Sequence, residues 1–291
     1  MFRQGVLLML LSALLFAGMS TTVRGLTAVN AYTIAMVRFV IGALAVAALF
    51  ACGLDRVRWG NWAWIVARGV TGGISVALGY SAIQHVGLAR SALLLYTYVV
   101  FAALFAVPIL GERMRLSQWT AIAVAMAGVA MMCGTRSLTV FRGGDLMALA
   151  SGVLSGFAVV SIARCRETDS AANIFWSQCL FGIAIVAWPT VEQWVRPAPS
   201  HWALLVLIGV LAAAGQITMT HAYKFTGATY GSLLSLLTPV TTATIGILGF
   251  HEPASPGLFL GGTLVLLACV YLSLDPVEQR PAEALAGAAS D

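Results

Sequence analysis

Carboxylates are what this chain has least of. Aspartate and glutamate together number 11 in 291 residues, and all charged side chains make up 9%. No acid falls in the middle of a long apolar run, because Glu112, Asp145 and Glu252 all sit at run ends. An acid–base or metal constellation at membrane depth is therefore missing. Cys52, Cys133, Cys165, Cys179 and Cys269 show no CxxC or Cys/His spacing and read as small apolar fillers rather than ligands. There is no phosphate loop, no nucleophile elbow and no HExxH. These absences predict no enzyme, no cofactor and no bound metal. The 16 lysines and arginines leave a net charge of +5, which reads as membrane orientation and not as nucleic-acid binding.

What is present is hydrocarbon. Apolar residues make up 60% of the chain and the mean hydropathy is +0.91, far outside the globular norm. Runs of about 20 mainly apolar residues, each able to cross a core of roughly 30 Å, recur throughout. They lie near 4–23, 30–52, 63–84, 89–109, 116–134, 144–163, 171–190, 201–222, 228–248 and 256–274. The expected fold is an all-α integral membrane protein of ten transmembrane helices. The first run follows Arg3 as a signal peptide would, but its repeat partner GDLMALASGVLSGFAVV lies mid-chain, so an uncleaved helix is expected. The polar, Pro- and Ala-rich residues 276–291 read as a disordered cytoplasmic tail.

The chain also repeats itself. GLARSALLLYTYVVFAALFAVPILGE (87–112) aligns with GATYGSLLSLLTPVTTATIGILGFHE (227–252) at an offset of 140, which also pairs Arg24 with Arg164 and Gly42 with Gly182. At the front the offset is 139, pairing Gly5 with Gly144 and Ser12 with Ser151. Residues 1–140 and 141–275 are thus expected to be two repeats of five spans each. Five is odd, so the second repeat enters from the opposite side and the two are inverted about an axis in the membrane plane. Ten Lys/Arg fall near one side and five near the other, which places both termini in the cytoplasm.

These motifs carry a resemblance. VRFVIGAL, ARGVTGG followed by GYSAIQHVGLARSALL, PILGERM, AVAMAGVAMM and HAYKFTGATYGSLLSLLTPV together resemble the drug/metabolite transporter superfamily, in its ten-helix branch with two EamA-type repeats. The likeness covers roughly 5–275. It implies transport and leaves the substrate open, since the family spans amino acids, nucleotides, vitamins, sugars and drugs. It also implies a cavity between helices three, four, eight and nine, floored by Ser12, Phe16, Ser151 and Ser155. Arg38 and Arg68 match positions often basic in the family, which suits helix orientation or snorkelling. Glu112 and Glu252 are repeat landmarks expected to bond backbone amides or clamp helices, with proton coupling as the other role. The proline common to helices four and nine is kept as Pro239 but replaced by Val99, so asymmetric kinking and gating are expected.

Polar groups at membrane depth need a partner or a purpose. Helix nine carries Ser232, Ser235, Pro239 and Thr242 on one stripe, and helix four offers Ser91 and Tyr98. Helix eight has Gln216, Thr220 and Lys224 on one face, and helix three has Tyr80 and Gln84. All are candidate substrate contacts, against the plainer reading that hydroxyls bond their own helix backbone. Arg90 is the best single candidate for anion contact. His221 is the candidate proton carrier, its ordinary pKa being near neutrality; it and Lys224 also fit an interfacial place. Basic residues without mid-span acids favour an anionic or zwitterionic small molecule.

The expectation is a secondary transporter of the cell inner (plasma) membrane, working by alternating access and exporting a small carboxylate-bearing, amino-acid-derived metabolite. An opine- or nicotianamine-like metal chelator fits the basic bias. Uptake of a vitamin or an adenosylated metabolite is the alternative, and a membrane enzyme or a non-transport subunit is the alternative of another class. Partners are the bilayer and the substrate, without nucleic acid. A monomer is sufficient, and the oligomeric state stays open.

Overall fold

The computed structural model describes residues 2–26, 28–58, 60–134, 143–250 and 255–274. Glu252, the tail 276–291 and the Gln84 side chain lie outside the described residues. Among those described there is no strand. The helices are α1 (Phe2–Val23), α2 (Ala31–Ala51), α3 (Trp62–Val86), α4 (Leu88–Tyr96), α5 (Tyr98–Leu110) and α6 (Leu116–Met132) in the first half. The second half has α7 (Gly143–Cys165), α8 (Ala171–Glu192), α9 (Pro199–Leu234), α10 (Leu237–Phe250) and α11 (Pro256–Leu274). A helix satisfies its own backbone, and hydrocarbon permits little else to a single apolar segment.

Ten crossings result. Six segments are both long and apolar enough to span a bilayer, and three shorter apolar helices and the 25-residue, more polar α3 complete the set. Span four is α4 with α5. Span eight is α9 up to Gly227, and span nine is the rest of α9 with α10.

The two halves share their joints. Gly87 (φ 80°) turns span three into span four, and Gly227 (φ 69°) turns span eight into span nine. With ψ of 165° and 178°, both occupy a backbone region open essentially to glycine alone. Asn30 caps α2 by accepting from Tyr32 N (2.7 Å), and Ser170, 140 residues later, caps α8 by accepting from Asn173 N (3.1 Å).

Packing repeats as well. α1 lies on α9 as α7 lies on α3, and α2 lies on α9 as α8 lies on α3. α2 with α8, and α6 with α11, pair across the pseudo-two-fold axis. Ser12 Oγ donates to Gly215 O (2.9 Å), and its counterpart Ser151 donates to Ser75 O (2.7 Å), also 140 residues from Gly215. At the axis, a Cβ on Gly42 would lie 2.7 Å from Phe175 and one on Gly182 would lie 2.6 Å from Phe39. Small residues are what let these helices approach.

Span four departs from the expected asymmetry. It is interrupted at Thr97 although Val99 stands where proline would, just as span nine is interrupted at Ser235 and Leu236. Thr97 supplies the reason. Its Oγ1 donates to Leu94 O (2.5 Å) and its N–H reaches the same carbonyl (3.3 Å), which tightens the turn from the side chain. In span nine Pro239 cannot donate to Ser235 O, which accepts from Thr238 N (3.0 Å) instead.

The α6–α11 contact gives a test. A Cβ on Gly128 would meet Gly261 O at 2.6 Å, and backbone cannot step aside. Gly128→Leu should destabilise by about 1–3 kcal/mol, read as a lowered unfolding temperature in detergent. Gly249→Leu, whose nearest neighbour is 3.9 Å away, should leave that temperature near wild type.

Candidate functional site

The two interrupted spans meet at their interruptions. Tyr98 OH and Ser235 Oγ form a hydrogen bond that joins span four to span nine. Beside it, span eight presents three buried side chains along one face. Gln216, Thr220 and Tyr223 are spaced by four and three residues, an arc of about 60° on a helix, and all are at least nine-tenths buried. Gln216 Nε2, Thr220 Oγ1 and Tyr223 OH have no hydrogen-bond partner among the described residues. Such atoms are rare at depth, and a cluster of them marks where a polar guest fits.

The other expected contacts sort themselves by partner. Ser232 Oγ donates to Thr229 O (2.8 Å), Ser235 Oγ to Ser232 O (2.5 Å) and Thr242 Oγ1 to Thr238 O (2.8 Å). Most of the span-nine stripe is thus committed to its own backbone, with Ser235 alone also reaching across. Tyr80 is half-buried and packs against the cluster of Ala35, Phe39 and Phe175. Ser91 is buried near the start of α4. Ser75, buried on α3, contacts Ser151 and Ser155 at 3.2 and 2.5 Å, so both floor serines are engaged with span three.

His221 and Lys224 are exposed, on the outer side of span eight, with His221 resting on Phe225 at 5.5 Å. They therefore lie away from the Gln216–Thr220–Tyr223 face, although sequence spacing puts Lys224 close to it.

Arg90 is engaged at one end of the bundle. Its Nε and Nη2 contact Asp145 Oδ1 and Oδ2 at 2.5 and 2.7 Å, and Asp145 is fully buried. The pair ties span four to span six. The repeat counterpart of Arg90 is Tyr230, which stacks edge-on against Phe2 at 5.9 Å and accepts from Gln118 Nε2 (2.9 Å). One end thus carries a charged contact between spans and the other an aromatic one.

Glu112 serves that second end. Its carboxylate accepts from Ala228 N (2.9 Å) and Thr229 N (3.4 Å), the first free amides after the Gly227 turn. A carboxylate there answers both the unpaired donors and the helix dipole. Nearby, burial lowers the Arg166 guanidinium's pKa from its ordinary value, an effect partly offset by Asp55 and Asp169. Arg166 donates to Asp169 O within the loop after span six, and Asn173 donates to Arg58 O, tying the start of α8 to the loop after span two.

Arg38 and Arg68, read from sequence as orienting groups, are both buried within the bundle, at 8% and 4% exposure. Neither reaches a carboxylate among the described residues. Sequence reasoning saw the residue types and could not see that their heads turn inward.

Comparison with known proteins decides the identity. The EamA-like transporter family model matches residues 3–134 and again 142–274. The chain belongs to this family. Over 277 residues it is 28% identical to a pseudopaline exporter of Pseudomonas aeruginosa, covering 94% of this chain and 97% of the relative. It is 24% identical over 236 residues to a probable terminal-alkyne amino-acid exporter of Streptantibioticus cattleyicolor, with 78% of each chain covered. A crystal structure shares the fold with a TM-score of 0.81 at 20% identity, over 94% of this chain and 98% of that one. An EamA-like protein with this bundle is a multi-pass membrane transporter built from two inverted five-helix repeats.

Two outcomes follow from the ends of the bundle. Glu112→Ala should cost about 1 kcal/mol, the usual scale of a lost helix cap, while Glu112→Gln, which can still accept, should keep transport near wild type. Asp145→Asn should lower the unfolding temperature, and adding Arg90→Gln should recover part of the loss, because the second change removes the stranded charge.

Proposed function

We propose that this protein is an inner-membrane secondary transporter with cytoplasmic termini. It exports a small, carboxylate-bearing, amino-acid-derived metabolite by alternating access. The observation that carries the reading is the meeting of two interrupted helices at Tyr98 and Ser235, beside the unpartnered Gln216, Thr220 and Tyr223. In an inverted-repeat transporter, discontinuous helices at the repeat interface are where substrate binds. Export is supported by the names of the pseudopaline and terminal-alkyne amino-acid exporters. The basic bias of the interior and those same relatives support an anionic or zwitterionic cargo, with an opine- or nicotianamine-like chelator as the specific candidate.

The motion has a physical basis. Each half holds an equivalent set of helices, so the two halves can exchange their packings and open the central site to either side. The Arg90–Asp145 pair would hold one end shut. The Glu112 cap and the Tyr230–Phe2 contact would hold the other.

The test is untargeted mass spectrometry of cytoplasm and medium from cells with and without the gene, grown with metals replete and scarce. A compound that accumulates inside and disappears from the medium on gene loss is the expected result. A compound that stays in the medium and is depleted inside would make the protein an importer, which is the alternative reading for a vitamin or an adenosylated metabolite.

A further inference from the structure

We infer that Arg38 and Arg68 form a buried subsite for a carboxylate of the transported molecule, with Gln178 and Tyr223 as its neutral neighbours. The inference rests on the reading that the cargo is anionic, and it assigns the contact to residues of spans two and three rather than to Arg90.

The charges are uncompensated. Arg68 Nη2 donates to Gln178 Oε1 (2.8 Å), and its Nε has no partner among the described residues. Among the described residues Arg38 makes no hydrogen bond and no ion pair; its guanidinium only lies 6.0 Å from the neighbouring Phe39 ring, and its Nε too is unpartnered. The two guanidiniums are within electrostatic reach of each other and of Cys179. Two guanidiniums held inside the bundle with no carboxylate partner among the described residues are a costly arrangement.

A snorkelling side chain runs along the lipid-facing surface to the interface, whereas both residues are buried within the bundle, at 8% and 4% exposure. Helix orientation accounts for one hydrogen bond to Gln178 and leaves the second arginine without a role. Asp169, near the end of the loop before α8, is already engaged by Thr168 Oγ1 (2.7 Å) and Asn173 Nδ2 (3.2 Å).

Two further observations favour a built site. A Cβ on Gly72 would overlap the Arg68 guanidinium and lie 3.1 Å from Gln178 Nε2, so the missing side chain makes room for the head. The repeat relation, offset 140, places Arg38 opposite Gln178 and Arg68 opposite Ile208. The neutral partner that Arg68 finds in Gln178 is therefore replaced, from Arg38's side, by an apolar isoleucine. Pseudo-symmetry alone would not produce a second arginine with nothing to bind.

A planar carboxylate meets a guanidinium through paired, charge-assisted hydrogen bonds, and burial strengthens them. Tyr223, whose hydroxyl has no partner among the described residues, packs its ring against span nine, where a Cβ on Gly231 would lie 2.5 Å from it, and so stands between span eight and the interruption at Ser235. One substrate can thus place its carboxylate at the arginines and its remaining polar groups along span eight.

The experiment measures equilibrium binding of isotope-labelled nicotianamine and of its trimethyl ester to the purified full-length protein, with octopine and glutamate as further anionic probes. Wild type should bind nicotianamine and discriminate against the ester. Arg68→Gln and Arg38→Gln should each weaken nicotianamine binding roughly 10- to 100-fold, without lowering the unfolding temperature of the unliganded protein, because each removes an unmatched buried charge. Gly72→Ala should weaken it as well while keeping both charges. If nicotianamine binding survives in Arg38→Gln and Gly72→Ala, the subsite is overturned and an anionic cargo still stands, whether or not Arg68→Gln folds. A lowered unfolding temperature with unchanged affinity would assign the arginines to helix orientation. If wild type binds none of the three anionic probes, the anionic reading falls and takes the subsite with it.

Discussion

In hydrocarbon a polar group finds a partner inside the protein or goes without, and this constraint governs the whole bundle. It makes each crossing a helix, whose backbone needs nothing from outside. It commits the hydroxyls of Ser232, Thr242 and Ser161 to their own helices. It also directs Ser12 and Ser151 onto the backbone of a neighbouring helix, stitching span one to eight and span six to three. Against so complete an accounting, the exceptions carry the information. Among the described residues, buried atoms without partners remain on Gln216, Thr220, Tyr223, Arg38 and Arg68 of spans two, three and eight, and also on Thr33, Arg166, His201 and Thr229.

The scaffold is symmetric and its chemistry is not. The glycine joints, the helix caps, the serine stitches and the helix pairing all occur twice. Several charges occur only once: Arg90 and Asp145 have Tyr230 and an apolar neighbourhood as counterparts, and Arg68 has Ile208. A symmetric frame gives two packings of similar energy, which alternating exposure requires. Unequal polar groups then allow a substrate or an ion to favour one packing over the other. A ligand shifts such an equilibrium only by its differential affinity for the two states.

Most of the frame was legible in the sequence because hydropathy and an offset of 140 need no side-chain geometry. Ten runs gave ten crossings, and their odd number per repeat gave the inversion. The interruption at Thr97 was hidden because it comes from a side-chain hydrogen bond to Leu94 O instead of a proline. Candidate contacts were harder to read, for a reason that Arg90 illustrates. Its partner Asp145 lies 55 residues away on another helix, so no local pattern announces the pair. Helical spacing grouped Lys224 with Gln216 and Thr220, whereas burial separates it from them and puts Tyr223 in its place. Type and spacing name the polar residues of a bundle; only the tertiary arrangement says which are already satisfied.

The single-glycine joints have a mechanical meaning. A connection one residue long holds no slack, so spans three and four, and likewise eight and nine, act as stiff levers hinged at Gly87 and Gly227. A tilt of Arg68's helix is then passed through Gly87 to α4, which ends just before Tyr98, and a tilt of Tyr223's helix is passed through Gly227 to the segment that ends at Ser235. Whatever draws on one arm of such a hairpin is felt at once in the other.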